Sequence, residues 1–184
     1  GGTGFLSAGD QVDLQIGYQI SLERVGGGRI LDEEQGIEEY ALYSSAELHP
    51  FSKLIVRPGL RYTQNSAFGS QLIPSLQLKY QLQEQAQVRI SYGRGFRSPS
   101  VRELYFEFVD SNHRIFGNPA LQPEKSNHLS INTLFQYQLA STDVKADLNL
   151  FYNDIRDQIS IGQDANDVTS TSYLNIARFK TLGA

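Results

Sequence analysis

From Val12 onward the chain alternates. Val12, Leu14, Ile16, Tyr18, Ile20 and Leu22 are interleaved with Gln11, Asp13, Gln15, Gly17, Gln19, Ser21 and Glu23. A period of two places successive side chains on opposite faces, so this run predicts a strand with one apolar and one hydrated side. The pattern returns as Leu54, Val56, Pro58, Leu60 and Tyr62, then as Leu72, Pro74, Leu76, Leu78, Tyr80 and Leu82. It returns again through Val88, Ile90 and Tyr92, through Leu129, Ile131, Thr133, Phe135, Tyr137 and Leu139, and through Val144, Ala146, Leu148, Leu150 and Tyr152. Two weaker copies carry Tyr40, Leu42, Ala46 and Leu48, and Tyr173, Ala177 and Phe179, bringing the expected number of strands to about eight. Proline removes a ladder donor, so Pro58 and Pro74 are expected at a bulge or near a strand end.

Several runs exceed the roughly 5 to 6 residues usual for strands of soluble domains, and reach the roughly 9 to 11 that a tilted strand needs to cross a bilayer. Tyrosines recur near the run ends, at positions suited to a headgroup belt: Tyr40, Tyr62, Tyr80, Tyr92, Tyr137, Tyr152 and Tyr173. The intervening segments alternate between short (49–52, 84–86, 140–143) and longer (25–36, 64–70, 95–125, 162–172). Tight turns on one side and long loops on the other are the habit of an up-and-down transmembrane barrel. The expectation is therefore an all-β antiparallel meander, with the strand from Val12 running outward. Two other readings remain open: a self-contained eight-stranded barrel with an adhesin or structural role, and a soluble β-sandwich.

Composition narrows the chemistry. The 184 residues contain no cysteine, which excludes disulfides, thiolate metal sites and thiol nucleophiles, and no methionine, which suggests a piece of a longer product. A formal net charge of −4 without a basic run argues against a nucleic-acid partner. No G-x-S-x-G, H-E-x-x-H or P-loop signature is present, and no enzymatic activity is expected. Asp32, Glu33, Glu34, Asp164 and Asp167 cluster in long connections, where a solvated surface is a simpler account than calcium; no metal or cofactor is expected.

The 95–125 connection carries the most specific pattern. Gly95-Phe96-Arg97-Ser98-Pro99-Ser100 is followed by Glu103-Leu104-Tyr105 and then by Gly117-Asn118-Pro119-Ala120-Leu121-Gln122-Pro123-Glu124-Lys125-Ser126. This succession resembles TonB-dependent outer-membrane receptors. So do Glu39–Tyr43, Pro58–Tyr62, Phe151–Ile155 and Tyr173–Ile176, in the same order. The resemblance covers nearly the whole chain and implies an arc of a 22-stranded transmembrane barrel, in the outer membrane of a Gram-negative bacterium. It further implies a plug domain and C-terminal strands outside this segment, a TonB complex reached through that plug, outer-membrane lipid around the wall, and a scarce nutrient such as haem, a ferric siderophore or a cobalamin-like molecule as cargo.

Within that segment, Gly95, Phe96, Arg97, Pro99, Glu103, Gly117, Asn118, Pro119, Leu121, Pro123 and Glu124 read as loop anchors. The prolines fix φ, Gly95 and Gly117 allow angles closed to other residues, and Arg97 and Glu124 suit an ion pair across the loop base. His113 stands between the Phe96–Pro99 and Asn118–Leu121 boxes, where some haem receptors of the resembling family place a histidine. An imidazole there could ligate haem iron, Tyr105 is a second axial candidate, and Arg97, Arg102 or Arg114 could meet propionates. His128, at a strand start, and His49, in a short turn, read as structural.

Overall fold

The computed structural model describes residues 1–9, 11–139, 142–163 and 169–184. Most of them belong to one sheet. Its long strands are β1 (Gly2–Ala8), β2 (Val12–Gly26), β3 (Glu34–Phe51), β4 (Leu54–Asn65), β5 (Gly69–Gln83) and β6 (Ala86–Arg97), followed, beyond an elaborated connection, by β9 (Glu124–Leu139), β10 (Thr142–Gln163) and β11 (Thr171–Gly183). Within that connection lie helix α1 (Val101–Tyr105) and the short strands β7 (Glu107–Val109) and β8 (Arg114–Phe116). Every consecutive pair of long strands is antiparallel, in the order β1-β2-β3-β4-β5-β6-β9-β10-β11. The meander thus has one more strand than the alternation indicates. β1 escapes a period-two reading because glycines interrupt it and Phe5 and Leu6 are adjacent. The sheet is open, with β1 paired to β2 alone among the described residues, so it does not close as an eight-stranded barrel.

The register turns the sequence alternation into rows. Tyr18, Leu42, Tyr62 and Leu72 stand side by side on β2 to β5, and Ile90, Ile131 and Leu150 on β6, β9 and β10. All are exposed, Leu42 to 63%. Large apolar side chains therefore do not meet one another in a closed interior, as a sandwich requires; they cover one whole face of the sheet, the arrangement expected against hydrocarbon. The other face is polar and knitted by its own bonds. Ser45 Oγ donates to Gln15 at 3.2 Å, Arg61 donates to Gln19 at 3.2 Å and Thr63 at 3.1 Å, and Arg57 pairs with Glu47. No helix among the described residues is long and apolar enough to cross a membrane. Reversing one apolar row tests the assignment of that face to hydrocarbon. Ile131→Arg, near the middle of β9, is expected to cost about 2–4 kcal/mol, seen as loss of heat-modifiable barrel in outer-membrane fractions. Asn132→Arg, on the polar face, leaves that band intact.

Both prolines sit inside strands. Pro58 pairs with Leu76 of β5, but the β3 ladder skips the rungs between Ser45↔Gly59 and Leu48↔Val56, so no β3 carbonyl there depends on the N–H that Pro58 lacks. Pro74 lies one residue beyond Ser75↔Gly93, where β5 stops pairing with β6. The bulge falls elsewhere, between Leu48 and Phe51. His49 lies in β3 rather than in a turn, with Nε2 3.0 Å from Glu47, and His128 bonds Asn153 at 2.5 Å across to β10. Strands also run further into the long connections than the pattern indicates, so these shrink to residues 27–33 and 98–123. Asp164 and Asp167 lie outside the described residues.

Candidate functional site

The 98–123 connection begins where β6 ends. Pro99 cannot extend the ladder, and Ser100 then starts α1 as a reciprocal cap: its Oγ accepts from Glu103 N at 3.3 Å while Glu103 Oε2 accepts from Ser100 N at 2.8 Å. The S-x-x-E spacing that produces this cap is the signal by which the helix, absent from the loop-anchor reading of this connection, could be found. α1 lies across the polar face of the sheet, where Val101 N also donates to Glu23 at 3.2 Å. Val101, Leu104 and Leu121 are almost wholly buried and form a small core with Ile37 of β3. Val25, Phe68, Ile159, Tyr105 and Tyr173 pack around it. Tyr173 is accordingly a core-flanking residue rather than a headgroup anchor.

The chain returns through the β7–β8 hairpin. Gly117 then passes so close to α1 that a Cβ would lie 2.6 Å from the Leu104 carbonyl and from Tyr105 N. Gly117 is needed for that approach and not for a left-handed angle: neither it nor Gly95 has positive φ, and Gly95 is extended in β6 opposite Ser126. Asn118 closes the structure three ways. Its N–H donates to the Glu103 carbonyl at 2.9 Å, its Oδ1 accepts from Ala120 N at 2.9 Å, and its Nδ2 donates to the Tyr173 carbonyl at 2.9 Å. Pro119 follows it in the turn, Pro123 is buried beside β9, and Asn175 of β11 bonds Gln122 in both directions, at 2.8 and 2.9 Å.

At the base, the Arg97 guanidinium forks between Glu103, at 2.9 Å and 3.1 Å, and Glu124, at 2.7 Å. Glu124 also accepts from Ile159 N at 2.7 Å, linking β10. Hydrogen bonding to Glu124, then to Glu103, holds Arg97 above its ordinary pKa. Arg97 in turn holds Glu124 below the usual carboxylate range. Burial acts to raise Glu103, but bonds from Arg97 and Ser100 outweigh it and leave that carboxyl lowered too. With both ends of its fork taken, Arg97 is a strut of the loop base. Phe96 neighbours it at the end of β6, paired with Lys125.

The other candidates spread over the outer surface of this unit. Arg102 lies 5.0 Å over the Phe106 ring, and Arg29, from the 27–33 loop, 4.4 Å over Phe108. Arg114 donates to Thr169 at 3.0 Å. Tyr105 is half-buried against the core, while His113 is exposed at the hairpin tip, 6.0 Å from Phe108. His113 Nδ1 lies 3.1 and 3.2 Å from the two Asp110 oxygens. Asp110 is held below its ordinary pKa, chiefly by the Asn112 N–H and also by His113, so it is an acceptor at neutral pH. Against that carboxylate, Nδ1 is the ring nitrogen that donates. The 27–33 loop is bound to the same unit: Leu31 N donates to the Tyr105 carbonyl at 2.9 Å and Glu107 N to the Arg29 carbonyl at 2.8 Å. Arg29, Glu23 and Asn175 escape sequence reading because their roles arise only when loops far apart in the chain meet. Among the described residues no group of three or more His, Asp or Glu is arranged to hold a metal.

An apolar face that belongs in hydrocarbon, a polar face opposite, and a packed loop unit at one end define part of the wall and mouth of an outer-membrane β-barrel. The chain belongs to the TonB dependent receptor-like, beta-barrel family, whose profile matches residues 6–183. It is 28% identical over 138 residues to the iron-regulated outer membrane virulence protein of Vibrio cholerae, covering 68% of this chain and 21% of that protein. Among solved structures it is similar to the siderophore receptor PirA of Pseudomonas aeruginosa, with a TM-score of 0.81 and 20% identity, over 98% of this chain and 34% of that one. The Serratia marcescens hemophore receptor HasR, solved with its hemophore and heme, gives a TM-score of 0.75 at 15% identity, over 98% and 37% of the two chains. The chain thus spans about a fifth to a third of the length of these proteins.

Proposed function

We propose that this chain is the wall and part of the mouth of a receptor that captures an iron source, haem or a ferric siderophore, and passes it inward by TonB-dependent transport. The carrying observation is the loop unit on the polar face. A small dry core and the Arg97 fork fix its inner side, which leaves Arg29, Arg102, Phe106, Phe108 and His113 on an outer surface of cations and rings suited to an anionic, planar cargo. The names of the Vibrio, Pseudomonas and Serratia proteins support an iron source. The plug, the remaining strands and the TonB-contacting segment are proposed to lie in the same receptor outside these 184 residues. The test is growth of a receptor-deleted strain on haem or on ferric siderophores as sole iron source. Loss on one of them, restored by the intact gene, supports the reading; unchanged growth on all refutes it.

For haem specifically, His113 Nε2 is the proposed axial ligand, with Arg102 and Arg114 toward the propionates and Tyr105 a weaker candidate because it packs inward. His113→Ala is expected to remove the low-spin absorption of bound haem and haem-dependent growth while siderophore-dependent growth persists. Unchanged haem spectra and haem-dependent growth would eliminate His113 as the axial ligand and leave haem held by another residue.

A further inference from the structure

We propose that the polar face of β4, β5 and β6 is the wall along which the captured cargo leaves the mouth, and that Lys79 and Arg89 hold it near the short-turn end. The assignment rests on the receptor reading, in which that cargo is an anionic iron source, and on the distribution of charge. The three strands contain six arginines and lysines and no acidic residue, although acids outnumber these cations 20 to 16 in the whole chain. Alternation places five of the six, Arg57, Arg61, Lys79, Arg89 and Arg97, on the polar face, opposite the side that carries Val56, Leu78 and Ile90.

Three of the five are matched by acids from neighbouring segments: Arg57 by Glu47, Arg61 by Glu39 at 3.7 Å, and Arg97 by Glu103 and Glu124. Lys79 and Arg89 are not. They are direct partners in the β5–β6 register, and among the described residues neither has an ion pair or a side-chain hydrogen bond. The acids on this end of the polar face stand on other strands. Glu47 is engaged by Arg57, Asp13 accepts from Ser7 at 2.6 Å, Asp147 accepts from Asn132 at 2.6 Å, and Asp143 lies at the start of β10, two strands from β6. Like charges directly opposite one another on adjacent strands are destabilising, and an anion between them removes that cost.

The wall above the pair is open. From Arg97 down to Arg89 the inward positions of β6 are Gly95, Gly93 and Ser91, flanked by Ser75 on β5 and Ser126 and Ser130 on β9, while His128 is turned to Asn153 on β10. A Cβ at Gly93 would meet nothing within 4 Å. The strip runs about 27 Å along β6, from the loop base toward the short turns. A carboxylate, or the deprotonated oxygens of a ferric catecholate, can bridge the Lys79 ammonium and the Arg89 guanidinium while the bulk of the cargo lies over the glycines. A cleft lined by one sign of charge concentrates solutes of the other, which favours movement of an anion along this wall.

The test uses the full-length receptor in its own outer membrane, with iron-labelled haem and an iron-labelled ferric tricatecholate as probes. Binding to de-energised cells reads the mouth, and the initial import rate of energised cells reads passage. K79Q/R89Q is expected to bind within roughly twofold of wild type but to import at least roughly tenfold more slowly, the lower end of what a cleft of one sign contributes. K79R/R89K keeps both charges and is expected to restore import to within roughly threefold. Because the glutamines remove a repulsion, the temperature at which the folded band is lost in heat-modifiable migration is expected to be unchanged or higher, the opposite of what losing a structural pair produces. A loss of binding as large as the loss of import overturns the proposal. Raised vancomycin sensitivity in K79Q/R89Q also overturns it, by showing that the pair holds a protein segment closing the lumen. Wild-type import that the glutamines leave unchanged refutes this passage alone, whereas a wild type that imports neither probe refutes the receptor reading and the passage with it.

Discussion

Leu104→Ala is expected to release the 98–123 loop from the wall while leaving the barrel intact. Leu104 is 2% exposed and belongs to a core of four buried side chains, with Ile37, Val101 and Leu121. Truncating a buried leucine costs about 2–5 kcal/mol, from lost transfer energy and from the cavity left behind. In a large core that loss is shared. Here it removes a main part of what holds α1 down, and the rest of the loop is turns and a three-residue hairpin whose hydrogen bonds water can replace. The sheet ladders do not pass through Leu104, so the strands keep their register. The measurement is the mobility of a nitroxide on a cysteine at Ser111, a clean label because this chain has no cysteine of its own. A sharpened spectrum with normal heat-modifiable migration is expected. An unchanged spectrum would show that hydrogen bonds rather than the apolar core secure the loop.

Arg97→Ala is expected to loosen the same loop by a different route, and to reveal it through pH. Arg97 is about half exposed, so each of its two ion pairs is screened and worth about 1 kcal/mol or less. Removing the guanidinium also leaves Glu103 and Glu124 facing one another unneutralised, which brings the total to about 2 kcal/mol. Arg97→Lys restores charge but not the fork, and is expected to recover only part of the immobility. Both carboxyls have folded-state values below their unfolded value of about 4.3. Their contribution is therefore complete at neutral pH and is lost as pH falls through that value toward the lowered ones. In the wild type the label stays immobile from pH 7 to about 5 and is freed at lower pH. In Arg97→Ala it is more mobile at pH 7 and the acid transition is flattened. A wild-type transition near pH 6 to 7 would point instead to a histidine.

These two predictions involve side chains whose visibility in the sequence differs. Ser100 and Glu103 carry a signal that reading the connection as loop anchors passes over, although it is local: the four residues of a capping box contain both its donors and both its acceptors. The Arg97–Glu124 pair is suggested by the motif at the two ends of the connection, but the sharing of Arg97 with Glu103 is not, since it requires α1 to turn back over the strand end. Val101 and Leu104 look like ordinary apolar loop residues until Ile37, more than sixty positions earlier, comes under them. The cation pair on the polar face is a sharper case. Lys79 and Arg89 read as ordinary hydrated positions of two strands, and only register sets them opposite one another.

What the amino-acid order determined by itself is the two-faced wall: alternation at period two is a property of each strand alone, and it assigns hydrocarbon and water sides without reference to a neighbour. The turn-and-loop rhythm and the capped start of α1 are local in the same sense. The tertiary structure alone decided which loop rests on which strand, that Arg97 is used within the protein while His113 stays exposed, and where like charges meet on the polar face. Those outcomes depend on pairings between segments tens of residues apart, and a one-residue change in register would send each side chain to the opposite face.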